Sequence, residues 1–184
     1  MEILKARELG FCFGVKRAVD LVERHTIGEG QVDSLGSIVH NRQVLNQLNT
    51  NIISNIEGAK SQTVAITAHG VGPQVLEDIK SLGLGLLDTT CPIVRDSQIA
   101  AKRLVEAGFF VIIYGDDTHP EIKGVLGWAK GNGLATKNPQ DLSNMARLPR
   151  RIGVLSQTTQ PPAPFAAFAR AVLDISIERA LEVR

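Results

Sequence analysis

Apolar residues along this chain arrive in short blocks that alternate between two periods. Val15, Ala18, Val19 and Val22 recur at helical spacing and predict a helix over 14–25, which the stretch Gly28-Glu29-Gly30 breaks. Ahead of it, Ile3, Leu4 and Ala6 predict a first strand over 2–8. Helices are expected near 41–48 and over 73–81, with strands over 64–67 and 84–87, the second of them short and buried. Pro92 suits a first helical turn, and Ile99, Leu104 and Val105 help carry that helix to Ala107. Residues 109–114, Phe-Phe-Val-Ile-Ile-Tyr, form the strongest strand signal, a continuous apolar run expected of a parallel strand buried on both faces. A helix over 122–130, a strand over 152–155 and a helix over 164–173 complete the pattern.

Alternation of strand and helix predicts an α/β fold with mainly parallel sheets. A break near 88–92 divides the chain into comparable units, residues 1–90 and 91–184, each led by a cysteine loop. That is a weak internal repeat, and it predicts two pseudo-repeated α/β domains around a shared centre. Strand order does not follow from the pattern.

Composition narrows the function classes. Hydrophobic residues at 43% and charged residues at 21% of 184 are ordinary for a soluble globular protein with a sizeable core. A net charge of +1 and only 4% aromatic residues argue against a nucleic-acid or membrane-surface partner. No apolar run approaches membrane-spanning length, and Glu2, Lys5 and Arg7 stand where a signal peptide needs its apolar core. The two cysteines, far apart, are expected to be free thiols in a reducing cytoplasm, a disulfide being the less favoured alternative.

Those cysteines are the first candidates for chemistry. Cys12 lies in Gly10-Phe11-Cys12-Phe13-Gly14-Val15 and Cys91 in Asp88-Thr89-Thr90-Cys91-Pro92, each at a loop-to-helix junction. Amides and dipole at a helix N-terminus stabilise an anion, and thiolates at loop ends are what an iron–sulfur cluster or zinc ion requires. No Cys-x-x-Cys spacing exists, which argues against a compact zinc finger; on the cysteines alone, two buried structural thiols are an equal alternative.

The histidines favour a ligand. His40, His69 and His119 lie in loops after predicted strands, where α/β proteins bind ligands. His40 and His69 also precede predicted helices, a setting suited to phosphate. One such histidine is more often structural; three favour an anionic ligand. His25, at a helix end beside Arg24, reads as a partner for the C-terminal dipole. Glu121, two residues after a loop histidine, suits a proton donor, since a carboxyl enclosed near anions holds its proton more tightly. Taken alone, it reads as a first-turn glutamate favoured by the dipole. The segment Ser156-Gln157-Thr158-Thr159-Gln160 offers hydroxyls to orient a substrate or relay a proton, or simply to cap the next helix.

In order, Gly10-Phe11-Cys12-Phe13-Gly14-Val15, Val39-His40-Asn41-Arg42, Ala68-His69-Gly70-Val71, Asp88-Thr89-Thr90-Cys91-Pro92, His119-Pro120-Glu121 and Ser156-Gln157-Thr158-Thr159 closely resemble the 4-hydroxy-3-methylbut-2-enyl diphosphate reductase (LytB/IspH) family. The resemblance spans nearly the whole chain. It implies a cytoplasmic enzyme that ends the methylerythritol phosphate route to isoprenoids. An allylic alcohol diphosphate would be reduced to isopentenyl and dimethylallyl diphosphate with two electrons and two protons. The implied fold is a trefoil of three α/β domains around a 4Fe-4S cluster held by one cysteine from each, with reduced ferredoxin or flavodoxin as electron donor. Carried over, Cys12 and Cys91 are cluster ligands, His40 and His69 bind the diphosphate, and His119 lines the same pocket. Glu121 is the proton donor, with Thr158 in the proton path.

This chain departs from the family in one respect: the third cysteine and the third domain have no counterpart in it. The expectation is therefore a truncated chain, two lobes of three, with self-association or a complementary third domain as partner. The alternatives are a non-catalytic diphosphate-binding or interaction protein that keeps the fold, and a cofactor-free pair of α/β domains.

Overall fold

The helical period around Val15 becomes α1 (Phe13–Gly28), whose buried stripe of Gly14, Ala18 and Val22 faces the first sheet. The computed structural model describes residues 2–4, 10–145, 149–178 and 182–184. After α1 come β1 (Val32–Leu35), α2 (Arg42–Gln47), β2 (Thr50–Ile53), a 3₁₀ turn (Ile56–Gly58), β3 (Thr63–Ile66), α3 (Pro73–Ser81) and β4 (Gly85–Asp88). A second run follows: α4 (Pro92–Glu106), β5 (Phe110–Tyr114), α5 (Pro120–Trp128), β6 (Gly133–Thr136), α6 (Gln140–Ser143), β7 (Arg151–Ser156), α7 (Pro162–Glu178) and β8 (Glu182–Val183). No helix among the described residues is long and apolar enough to cross a membrane.

Both sheets are wholly parallel, and their orders are β2-β1-β3-β4 and β6-β5-β7-β8. These are the same order written twice, so the internal repeat extends to topology. Each sheet is covered on both faces. In β5, Val111 and Ile113 face α4 and α5 while Ile112 faces α6 and α7, the period of two expected of a central strand. Each fully buried isoleucine here contributes about 1.5–3 kcal/mol.

Several expectations change. Of the first strand predicted over 2–8, residues 2–4 are irregular, with Ile3 and Leu4 exposed, and residues 5–9 lie outside the described residues. The strand predicted as buried over 84–87 is the edge strand β4, where Gly85 and Leu86 face solvent because only β3 pairs with it. The last helix runs past Leu173 because Phe165, Phe168, Val172 and Ile175 continue one apolar face. Elements β1, β2, β6, α6 and β8 carry no strong apolar pattern. His25 sits in the last turn of α1, 3.6 Å from Glu29.

The reason β1 is hard to read is a buried carboxylate. Asp33, on this central strand, is 0% exposed and accepts from Asn51 Nδ2 at 3.0 Å and from the amides of Lys60 and Ser61. Burial by itself would raise its pKa, but these donors outweigh burial and hold it below the ordinary value. A depressed folded value means stabilisation that is present above about pH 4 and lost as pH falls through the folded value. Asp33→Asn is expected to cost about 2–3 kcal/mol at neutral pH, read by urea unfolding, and to flatten the acid limb of the stability profile. An unchanged acid limb would show that Asp33 is not its source.

Candidate active site

In an open parallel sheet, a crevice forms where neighbouring strands send their connections in opposite directions. In the first sheet that point lies between β1 and β3, and the loops leaving their carboxyl ends carry His40 and His69. In the second it lies between β5 and β7, whose loops lead to His119, Glu121 and Thr158. Five of the seven candidates thus occupy equivalent crevices of two repeated sheets.

The crevices adjoin. The His69 and His119 rings meet edge to face with centroids 5.1 Å apart. His40 and His69 both line a cavity of about 350 Å³ with Phe11 and Asn41, and a second of about 270 Å³ that reaches Pro120. Burial foremost, then the His119 imidazole, pushes the pKa of His69 below the ordinary value; the Glu121 carboxylate opposes this and His40 adds to it. His69 is therefore a neutral imidazole at pH 7, ready to gain a proton if an anion arrives beside it. His40 is exposed and precedes Asn41, whose side chain caps α2 through the amides of Gln43 and Val44.

His119 is the N-cap of α5, its Nδ1 accepting from the Glu121 amide at 3.1 Å. In the neutral ring that places the proton on Nε2, leaving a donor for a ligand. Glu121 is 2% exposed. Its Oε1 accepts from the Thr158 amide at 2.7 Å and its Oε2 from the Thr158 hydroxyl at 2.9 Å. Thr158 itself is exposed, so one hydroxyl joins a buried carboxyl to a residue at the protein surface. Gln157, from the same segment, is buried and accepts from the Asp116 amide at 3.2 Å, joining the two loops of the second crevice.

Both cysteines are N-caps, Cys12 of α1 and Cys91 of α4, and neither helix start has a side-chain cap. Cys12 is exposed, Cys91 is half-buried, and both are free thiols. The Cys91 amide donates to the carbonyl of Ala68 at 2.9 Å, which holds this thiol loop beside His69. Arg17 of α1 donates to the Thr90 carbonyl at 3.1 Å, tying the two cysteine loops together. Gly14 permits their approach: a Cβ there would stand 2.6 Å from Cys91 Sγ. Free thiols on two loops tied together in this way are of the ligand type that an iron–sulfur cluster takes. Among the described residues no third cysteine, histidine or carboxylate joins them in a ligating group.

Two polar residues bear on the site without having been singled out in the sequence. Gln98 is 1% exposed on the inward face of α4, and Trp128 closes α5; both donate to the carbonyl of Val71, two residues after His69. A signal was available, since Gln98 interrupts the apolar stripe of Val94, Ala101 and Val105. Thr90 Oγ1 and Gln98 Oε1 are buried without a hydrogen-bond partner, each costing about 1–3 kcal/mol.

Comparison with known proteins identifies what the chain is similar to. The family model described as LytB protein matches residues 3–180. A 4-hydroxy-3-methylbut-2-enyl diphosphate reductase of Dehalococcoides mccartyi (strain CBDB1) is 51% identical over 187 residues, covering 100% of this chain and 66% of the relative. The enzyme so named from Geobacter sulfurreducens is 39% identical, covering 87% of this chain and 57% of the relative. A solved structure of (E)-4-hydroxy-3-methyl-but-2-enyl diphosphate reductase, described as the terminal enzyme of the non-mevalonate pathway, is 35% identical with a TM-score of 0.79. It matches 95% of this chain and 63% of its own. The Plasmodium falciparum reductase structure, at 24% identity and a TM-score of 0.82, shares the fold and covers 95% of this chain and 56% of its own. This chain spans 66% or less of the length of these relatives. The sequence match from residue 3 to residue 180, together with the shared two-sheet architecture, establishes that the chain belongs to the LytB family.

Proposed function

We propose that residues 1–184 carry the diphosphate-binding and proton-donating part of a 4-hydroxy-3-methylbut-2-enyl diphosphate reductase, an oxidoreductase of isoprenoid synthesis. The observation behind this reading is the convergence of His40, His69, His119 and the Glu121–Thr158 pair beside the Cys91 loop. In this reading the chain forms two domains, 1–90 and 91–184, and works in the cytoplasm. Reduced ferredoxin or flavodoxin supplies electrons, and a third ligand comes from outside these residues.

His40 and His69 bind the diphosphate. An anion at His69 reverses the effect of burial and favours the imidazolium, so binding takes up a proton. His119 offers Nε2–H from the opposite wall. Anchoring the remote diphosphate lets its binding energy position the allylic carbon.

Cys12 and Cys91 would hold the iron–sulfur cluster, which when bound supplies electrons and a Lewis-acidic iron. The overall change removes the allylic hydroxyl as water and puts hydrogen on carbon, consuming two electrons and two protons. Glu121 gives the proton that makes the departing oxygen leave as water, which is a far better leaving group than hydroxide. Thr158 relays it: when its own proton turns toward the substrate, its oxygen accepts from the protonated carboxyl.

Calorimetry with inorganic diphosphate tests the binding half of this reading. Affinity is expected to rise as pH falls from about 8 to about 6, through the range where imidazole gains its proton. His69→Ala is expected to weaken binding by about tenfold or more, the worth of a charge-assisted hydrogen bond. A pH-independent affinity, unaltered in His69→Ala and His40→Ala, would overturn it. Tight binding without turnover, once a complete cluster is present, would instead favour the non-catalytic diphosphate-binding protein.

A further inference from the structure

We infer that Gln98 and Trp128 are positioning residues that latch the His69 loop to α5 through the carbonyl of Val71. The inference rests on the reading that His69 and His119 act on one ligand.

His69 and His119 belong to different sheets, so their 5.1 Å approach depends on how the loop after β3 seats against α5. That seat is almost bare backbone. A Cβ at Gly127 would lie 2.9 Å from the Cα of Gly72, and one at Gly124 would lie 3.3 Å from the carbonyl oxygen of Gly70. Gly70 itself has φ +66, and a Cβ there would meet Gln98 Nε2 at 2.4 Å and the Thr90 methyl at 2.9 Å. Such a seam is close, and backbone against backbone beside the Pro73 ring resists sliding less than interlocked side chains do.

Directional bonds supply that restraint. Trp128 Nε1 donates to the Val71 carbonyl at 3.0 Å and Gln98 Nε2 donates to the same oxygen at 3.3 Å. The two donors come from different helices, α5 and α4, and together use both lone pairs of one acceptor. His119 caps the start of α5, so fixing the helix's far end against Val71 fixes the near end against His69.

Gln98 also has a feature that stability alone does not explain. Its Oε1 is buried without a partner, so methionine, similar in shape and free of that oxygen, would suit a purely structural position better. What the amide does supply is an N–H group on the Val71 carbonyl.

The test compares Gln98→Met, Trp128→Phe and the double variant with Val125→Ala, a buried apolar truncation on the same helix. Three quantities are read on the 184-residue chain: melting temperature, the nuclear Overhauser contact between the His69 and His119 rings, and the dissociation constant for inorganic diphosphate. The double variant is expected to lose most of the ring contact and weaken diphosphate binding about tenfold, the worth of one charge-assisted hydrogen bond put out of reach. Gln98→Met alone is expected to weaken the ring contact without lowering the melting temperature. Val125→Ala is expected to do the reverse. Should the double variant not fold, the single variants give the same readouts with smaller changes.

Wild-type ring contact in the latch variants overturns the inference. So does ring contact that falls only in step with melting temperature across all four variants, Val125→Ala included. If His69→Ala leaves diphosphate affinity unchanged, the binding reading fails separately, and the ring contact alone decides the latch.

Discussion

Replacing Glu121 with glutamine is expected to slow reduction of 4-hydroxy-3-methylbut-2-enyl diphosphate by about 10²–10⁴-fold in kcat, the usual worth of a positioned general acid. The measurement uses a chimera in which residues 1–184 are completed with the third of the Dehalococcoides mccartyi relative that they do not match. Glutamine keeps an oxygen for the Thr158 amide, and the Thr158 hydroxyl can turn to accept from the new amide group. The variant should therefore fold normally and bind inorganic diphosphate within about twofold of the parent, which isolates proton delivery from binding. Turnover within tenfold of the parent would show that the proton comes from elsewhere.

The second large effect concerns the thiols. Under anaerobic reconstitution with iron and sulfide, the chimera is expected to take up a full cluster, and Cys12→Ser or Cys91→Ser to reduce iron and sulfide content toward background. The cause is ligand chemistry: a serine hydroxyl at neutral pH is not the anionic sulfur ligand such a cluster needs. The 184-residue chain alone, with two thiols, is expected to load incompletely and to lose its brown colour on desalting. Full, stable loading of that chain would refute the need for a third ligand from outside. Unchanged loading in both serine variants would remove the cysteines from the site. Iron and sulfide analysis and absorbance read the outcome without requiring activity.

The helices predicted from Val15, Pro92 and Ile122 match α1, α4 and α5 to within a few residues, because an amphipathic stripe repeats along a helix. Phe110–Tyr114 is equally plain, since a central parallel strand is apolar on both faces. Four-residue strands offer too few repeats for a period to emerge. In β1 the central position goes to Asp33, whose burial depends on donors 18 to 28 residues away. In β4, Leu86 and Leu87 look buried in the sequence, yet the strand lies at a sheet edge with one face in water.

The sequence by itself determined the chemistry available: two helix-leading thiols, three loop histidines, a glutamate after one of them and a hydroxyl segment, all in the order that places the chain near one family. It also determined the α/β class and the repeat, because both rest on local periodicity. Tertiary structure decided what those groups can do together. The shared strand order makes equivalent crevices of the His40–His69 and His119–Thr158 loops, and order is set by crossovers that no local pattern encodes. Apposition of the two sheets then brings His69 to His119 across a glycine seam, with Val71 held by Gln98 and Trp128. Contacts between residues 27 to 57 positions apart depend on packing and directional hydrogen bonds, which exist only once the chain has folded.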